Sequence, residues 1–168
     1  CCARRRSGRD SKGVPETFCW YLTHRMRSLP HNPVSTWSDY YACTIGKPLH
    51  PLFSILESHL PAKGKAIDLG CGVGHAVVWL AEKGWEIEAV DGHAEGLQIL
   101  KSRLSVEQLS RVTLTESSLE QIQLADNSFD LVIGAYSLFF IDTRENFDQL
   151  WSNIRSALKP GGLFVGEI

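Results

Sequence analysis

Hydrophobic and polar positions along residues 37–168 follow two different periods, one typical of helices and one typical of strands. Segments of the two kinds alternate along the chain. Segments with apolar residues three and four positions apart predict helices that have one buried face. The clearest of them is TRENFDQLWSNIRSALKPGG, where we expect Thr143 to be the N-cap residue. Short apolar or alternating runs predict five strands. These runs are KAIDLG, WEIEAVD, RVTLTE, SFDLVIGAY and GLFVGEI.

Three more helices are predicted, in PLHPLFSILESHLP, HAVVWLAEKG and AEGLQILKSRL. The first should run from about Leu49 to Leu60, because its leucines recur at helical spacing and Pro61 ends it. Strands that alternate with helices through right-handed crossovers form a mostly parallel sheet with helices on both faces. The pattern therefore predicts an α/β, doubly wound, Rossmann-like fold.

Bulk composition narrows the class of protein. A chain of 168 residues with 43% hydrophobic and 21% charged residues is ordinary for one globular domain. No apolar run approaches the roughly 20 residues that cross a bilayer, so we expect no membrane partner. The five cysteines have neither metal-ligand spacing nor the pattern of a disulfide framework. They favour a reducing, cytoplasmic setting and no metal site.

Charge is distributed unevenly along the chain. Residues 1–36 carry seven Lys or Arg and two acids, whereas residues 37–168 carry ten basic and seventeen acidic groups. A nucleic-acid interface needs a basic face on the folded part, so we expect no nucleic-acid partner. Residues 1–36 are interpreted as an irregular basic N-terminal segment, with a targeting segment as the alternative.

A glycine-rich loop follows the first predicted strand. The sequence AIDLGCGVGH, residues 66–75, has glycines at every second position, Gly70, Gly72 and Gly74. Doubly wound sheets bind ligands at the carboxyl ends of their strands, where glycine lets a ligand approach the backbone. A glycine-rich turn without a ligand is the alternative. His75 stands where a dinucleotide-binding loop has its third glycine, which disfavours a dinucleotide.

Two acids stand beside this loop in the predicted sheet. Asp68 would repel a pyrophosphate but would attract an ammonium group, so it favours a ligand that carries an amino acid moiety. Asp91 closes the second strand and can accept hydrogen bonds from two ribose hydroxyls, with a helix N-cap as the alternative. S-adenosylmethionine contains both a ribose and an amino acid end.

Four motifs in this order resemble class I S-adenosylmethionine-dependent methyltransferases, over about residues 37–168. They are AIDLGCGVGH, AVDGH, LADNSFDLVIGAYSLFFI and ALKPGGLFVGEI. The chain looks most like the small-molecule enzymes of the tellurite and thiopurine type, which share an aromatic segment similar to WSDYY. The resemblance implies a sheet order of 3-2-1-4-5 and S-adenosylmethionine as cofactor. The last two strands of that family are absent here, so we expect a methyltransferase domain truncated at its C-terminus.

The same resemblance assigns residues to the cofactor. The matching positions are Asp68, Gly70, Cys71, Gly72 and Gly74 for the methionine half, Asp91 for the ribose, Gly92, Ser118 and Leu119 for adenine, and Gly134, Ala135 and Tyr136 for the sulfonium side. Trp37, Tyr40 and Tyr41 are expected to form a lid that faces the substrate, with a core role as the alternative. Ser118 replaces a frequent aspartate of the family.

The expected chemistry requires few special side chains. Methyl transfer from a sulfonium is an in-line displacement, for which the protein mainly aligns the two reactants and excludes water. No catalytic residue is assigned, and Tyr136 is the candidate for orienting the acceptor. The strand-four end reads GAYS, unlike the Asn/Asp-Pro-Pro-aromatic sequence of enzymes that methylate bases.

We therefore predict methyl transfer to a small-molecule acceptor. A noncatalytic cofactor-binding or partner-binding domain is the alternative, and an NAD-dependent oxidoreductase is less favoured. The sequence assigns neither the acceptor atom nor an oligomeric state.

Overall fold

The computed structural model describes residues 36–166, and its centre is a single five-stranded sheet. The strands are β1 (Lys65–Leu69), β2 (Glu86–Asp91), β3 (Val112–Glu116), β4 (Phe129–Gly134) and β5 (Leu158–Gly166). Their order across the sheet is β3-β2-β1-β4-β5, and every neighbouring pair is parallel. This confirms the predicted Rossmann-like order. The strand order reverses between β1 and β4, so their carboxyl ends form the expected ligand-binding edge.

Helices connect the strands and cover the sheet. They are α1 (Trp37–Thr44), α2 (Leu52–Glu57), α3 (His75–Glu82), α4 (Ala94–Arg103), α5 (Val106–Leu109) and α6 (Arg144–Ala157), with a 3₁₀ turn at Leu138–Phe140. Thr143 caps α6 as predicted, because its side chain accepts a hydrogen bond from the backbone N–H of Asn146. Within residues 36–166, every helix is too short or too polar to cross a bilayer.

Two hydrophobic clusters cover the two faces of the sheet. Successive residues of a strand point to opposite faces, so Ala66 joins one cluster and Ile67 the other. The first cluster packs α2, α3 and α4 against the sheet, with Leu80 fully buried. The second packs α6 through Leu150 and Ile154. Burial on both faces explains why β1 and β4 read as continuous apolar runs.

The structure corrects the length of α2. This helix spans only Leu52–Glu57, not the predicted range from Leu49 to Leu60. The residues before it form a turn, in which the backbone N–H of Phe53 donates to the carbonyl of His50. The chain after the helix forms a similar turn, in which the backbone N–H of His59 donates to the carbonyl three residues earlier. The predicted leucine pattern therefore marks a buried face that extends beyond the regular helix.

Candidate functional site

The loop between β1 and α3 turns through three glycines in the left-handed region. Gly70, Gly72 and Gly74 have φ values of 76°, 53° and 78°, which glycine adopts without steric penalty. The backbone N–H groups of Gly70 and Cys71 donate to the carbonyl of Val90, at 2.8 and 2.9 Å. These bonds attach the loop to the carboxyl end of β2, beside the point where the strand order reverses.

Packing within the protein accounts for two of the three glycines. A Cβ atom at Gly70 would lie 2.3 Å from Ser137, and one at Gly74 would lie 2.2 Å from Leu100. A Cβ atom at Gly72 would have its nearest neighbour 3.9 Å away. Gly72 is therefore the loop position whose missing side chain leaves room for a ligand.

Asp68 is a buried carboxylate in β1 that has no compensating partner among the residues the structure describes. Only 5% of the residue is exposed, and no hydrogen bond or ion pair reaches its side chain from the rest of residues 36–166. Burial, together with the negative charge of Asp91, raises the pKa of Asp68 to about 7. Burying a charge without a partner costs free energy. A bound cation beside Asp68 would remove that cost.

Asp91, at the end of β2, is oriented by three hydrogen bonds. Its Oδ2 accepts from the backbone N–H of Gly72 at 2.8 Å. Its Oδ1 accepts from the backbone N–H of His93 at 3.0 Å and from the hydroxyl of Tyr41 at 3.1 Å. The N-cap residue of α4 is His93, so the alternative role of Asp91 as the N-cap is wrong. The carboxylate instead joins the glycine loop, the start of α4 and helix α1.

The loop after β3 lies beside Asp91. The backbone N–H of Ser117 donates to the carbonyl of Asp91 at 3.0 Å. The next two residues, Ser118 and Leu119, therefore lie at the same edge of the sheet, with Leu119 packed against a core cluster. Among the described residues, nothing other than its chain neighbours stands within 4 Å of where a Cβ atom at Gly92 would be. Contact of these residues with adenine stays a prediction.

Helix α1 places three aromatic side chains over this edge. Tyr41 is 1% exposed, whereas Trp37 and Tyr40 are each more than a third exposed. The ring of Trp37 lies 5.0 Å from the ring of His93 and 5.2 Å from that of Phe140. Because His93 follows β2 and Phe140 follows β4, α1 extends across the carboxyl ends of the central strands. Tyr41 thus has a core position, and the other two remain candidates for a lid.

The end of β4 carries a strained residue. Tyr136 has a φ of 60° and is 47% exposed. A bulky residue in the left-handed region is uncommon, and strained conformations of this kind cluster at functional sites. The ring of His50 stands edge-on to it, with ring centres 5.7 Å apart. The neighbouring Ala135 is half-buried against the core, and Gly134 packs closely on Leu138.

Two residues that position the site were not assigned these roles from sequence. The hydroxyl of Ser137 donates to the carbonyl of Leu69, which joins the end of β4 to the glycine loop. His75 Nε2 lies 2.9 Å from the carbonyl of Thr44 and connects α1 to the start of α3. Burial lowers the pKa of His75, which favours the neutral ring. The sequence GAYS contained the serine, but its partner stands 68 residues away.

Cys71 fits the glycine loop as a small apolar residue. Burial, followed by the charges of Asp68 and Asp91, raises the pKa of its thiol well above the usual value. A protonated thiol is a poor nucleophile, so the side chain contributes packing. Across residues 36–166, no three His, Cys, Asp or Glu side chains converge as metal ligands would.

Known proteins match the region that contains this site. Residues 67–166 match a family model described as a methyltransferase domain. The chain is 34% identical over 114 residues to cypemycin N-terminal methyltransferase from a Streptomyces species, which covers 66% of this chain and 44% of that protein. It is 31% identical over 107 residues to methyltransferase GfsG of Streptomyces halstedii, covering 62% and 37%. The chain thus spans less than half the length of these relatives.

A solved structure agrees with both the fold and the family. The S-adenosylmethionine-dependent methyltransferase from Mesorhizobium loti superposes with a TM-score of 0.60 at 25% identity, over 70% of this chain and 53% of that one. The family model covers more than half of the sequence, including the end of β1, the glycine loop and both acids. The chain belongs to the class I S-adenosylmethionine-dependent methyltransferases.

Proposed function

We propose that this protein binds S-adenosylmethionine along the loop between β1 and α3 and transfers its methyl group to a small-molecule acceptor. One observation carries the proposal. Asp68 and Asp91 are both buried at the ends of adjacent strands, close enough that the charge of one raises the pKa of the other. Asp68 needs a cationic partner, and Asp91 accepts hydrogen bonds of the kind that ribose hydroxyls donate; this cofactor offers one of each kind.

The residues present fit the two polar ends of the cofactor. The carboxylate of Asp68 lacks a partner within residues 36–166, and an α-ammonium group would supply one. The carboxylate of Asp91 faces Gly72, where a ligand can approach the backbone. We assign the ribose hydroxyls to it. The pyrophosphate of NAD would meet the negative charge of Asp68, which disfavours the oxidoreductase alternative.

The side chains at this edge would orient the reactants and exclude water. When bound, S-adenosylmethionine supplies an electrophilic methyl group on a sulfonium. We assign Tyr136 to the sulfonium side by the resemblance of the sequence around the end of β4, and we propose that it orients the acceptor there. His50 Nδ1 accepts the backbone N–H of Leu52 at 3.2 Å. In the neutral ring, Nε2 then carries the proton. It can donate a hydrogen bond to a lone pair of the methyl acceptor, but it cannot take a proton from that acceptor.

The acceptor side is aromatic. Trp37, Tyr40, Tyr136, Phe139 and Phe140 all keep more than a third of their surface exposed at the carboxyl edge of the sheet. Such a surface favours a small apolar or planar acceptor. The acidic balance of residues 37–168 also disfavours a nucleic acid.

Titration calorimetry tests the cofactor assignment. We expect S-adenosylhomocysteine and sinefungin to bind and NAD not to bind. Asp91→Ala should weaken S-adenosylhomocysteine at least tenfold, because each buried hydrogen bond to a charged group contributes about 1.5–3 kcal/mol. Unchanged affinity would remove the ribose assignment.

Turnover then separates an enzyme from a binding domain. Release of S-adenosylhomocysteine is followed with thiol, phenol, amine and peptide acceptors. We expect turnover with a small acceptor of the panel. Cofactor binding without any turnover would favour the noncatalytic alternative, and turnover with a peptide alone would replace the small-molecule assignment.

The affinity for S-adenosylhomocysteine should rise with pH through the neutral range. Its ammonium group pairs with ionised Asp68, whose pKa of about 7 in the free protein makes ionisation incomplete below that pH. The population of ionised Asp68 increases about tenfold between pH 6 and pH 8, so the affinity should increase by about the same factor. Calorimetry in buffers with different ionisation heats should detect proton release at pH 7.

Adenosine is the matched control for this pH dependence. It keeps the ribose and adenine but lacks the amino acid end, so its affinity should stay nearly constant between pH 6 and pH 8. A constant affinity for S-adenosylhomocysteine, with no proton released, would contradict the pairing of its ammonium with Asp68.

A further inference from the structure

We propose that the Tyr41 hydroxyl bonds to Asp91 at a position that a ribose hydroxyl also needs, so that the two compete for the carboxylate and are exchanged when the cofactor binds. Tyr41 is then a positioning residue that sets the affinity for the ribose. The inference rests on the proposed assignment of Asp91 to the ribose, and the experiment below distinguishes the failure of either one.

The number of acceptor positions on Asp91 leads to this inference. An ionised carboxylate has about four positions for hydrogen-bond donors. The N–H groups of Gly72 and His93 and the hydroxyl of Tyr41 fill three of them. A vicinal diol needs two. One of the three existing donors must therefore leave before both ribose hydroxyls can bind.

Tyr41 is the donor that can leave. The other two are backbone groups, fixed by the glycine loop and by the start of α4. The Tyr41 hydroxyl belongs to a side chain of the eight-residue helix α1. Burial, followed by the charge of Asp91, raises the pKa of Tyr41, so it remains a protonated donor at neutral pH. Its hydroxyl thus makes the same kind of bond to the carboxylate that a ribose hydroxyl would make.

The surroundings of Tyr41 imply that α1 moves with it. The ring is 1% exposed, and a Cβ atom at Gly96 would stand only 3.1 Å from it. Trp37 stacks on the same ring, with centres 6.2 Å apart. A side-chain rotation alone has little room, so exchange of the hydroxyl should displace α1 and change the environment of Trp37.

Removing the hydroxyl should therefore strengthen ribose binding. Tyr41→Phe keeps the buried ring but deletes the competing donor. We expect its affinity for adenosine to increase about three- to tenfold, the range of one ordinary hydrogen bond, with faster association in stopped-flow tryptophan fluorescence. Ser38→Ala, on the same helix, is the matched control, because it deletes a hydroxyl that donates to Glu95 and not to Asp91, and it should bind as the natural protein does.

A second ligand separates exchange from a general change in structure. 2′,3′-Dideoxyadenosine lacks the diol and does not need the Tyr41 position. Its affinity should be unchanged in Tyr41→Phe, whereas a purely structural effect would move both ligands together. In natural protein labelled with fluorotyrosine, ¹⁹F resonances should include one that shifts with adenosine and not with the dideoxy compound. This measurement uses the natural sequence, so it does not depend on how well the variant folds.

The outcomes distinguish the two proposals. Unchanged or weaker adenosine binding in Tyr41→Phe, or fluorotyrosine spectra that respond equally to both nucleosides, would overturn the exchange. In that case, a lower affinity of Asp91→Ala for adenosine would still support the proposed cofactor site. Natural affinity in Asp91→Ala would instead overturn the ribose assignment and the exchange with it.

Discussion

Asp68→Asn is expected to lower the affinity for S-adenosylhomocysteine at pH 8 by about a hundredfold or more, the loss that follows removal of one partner of a buried ion pair. Asparagine keeps the size of the side chain but cannot pair with an ammonium group. Because Asp68 is 5% exposed, solvent cannot replace the lost interaction. Calorimetry at pH 8 measures the effect. An affinity within a few fold of the natural protein would contradict the assignment of Asp68 to the amino acid end.

The same variant should make the cofactor-free protein more stable. The pKa of Asp68 is raised from 3.8 to about 7 in the folded state. The folded protein therefore binds more protons than the unfolded chain between these values, and its stability falls as pH rises through that window. A pKa rise of this size corresponds to about 4 kcal/mol, and Asn removes this loss, so at pH 8 the melting temperature should rise by about 10 °C. Near pH 4 the difference should be small.

Asp130→Asn is the matched control at the opposite edge of the sheet. Asp130 accepts hydrogen bonds at 2.8 Å from Lys159 Nζ and from the backbone N–H of Lys65. Its replacement should lower the melting temperature and leave cofactor affinity unchanged. The two aspartates thus differ in the sign of their effect on stability, because one has its partners within the fold and the other is proposed to need a ligand.

Gly74→Ala should destabilise the protein by about 2–5 kcal/mol, the sum of a left-handed alanine and an overpacked core. The residue has a φ of 78° and is the N-cap of α3. The added Cβ atom would stand 2.2 Å from Cδ1 of Leu100, which is fully buried and cannot turn away into solvent. The free energy of unfolding in urea measures the loss.

Alanine substitutions at two other glycines are the controls for this prediction. Gly72→Ala has the same sign of φ without the overlap, so its loss should be smaller. At Gly46, an added Cβ atom meets no atom of the described part of the chain within 4 Å. Gly46→Ala should therefore change stability by no more than about 0.5 kcal/mol, as surface substitutions do. A loss at Gly74 no larger than at Gly46 would contradict the close packing of the loop against α4.

The sheet was predictable because its signals are local. Each strand is a short apolar run, and Thr143 could be identified as an N-cap from its place before the most regular helical pattern. Helix α5 was missed although it has a local signal, a capping box between Ser105 and Gln108. Helix α1 has a weaker sequence signal, since Tyr41 is its single buried residue and only tertiary contacts fix the position of the helix.

The site was predictable only where a residue's position in the chain determined its place in the sheet. Asp68 is the penultimate residue of β1 and Asp91 the last residue of the adjacent β2, so their convergence follows from the fold. The bond from Tyr41 to Asp91 joins residues 50 apart, and no periodicity in the sequence indicates it. The sequence pattern also could not separate Gly72 from Gly74, because both occupy the same kind of turn and differ in what packs beside them.

A crystal structure of the complex with S-adenosylhomocysteine tests the central claim most directly. We predict that the ammonium group will lie within hydrogen-bonding distance of Asp68 and the ribose hydroxyls within that distance of Asp91. Gly72 should be the closest backbone contact between them. A nucleoside bound away from the loop between β1 and α3, or one that leaves both carboxylates without contact, would contradict the claim.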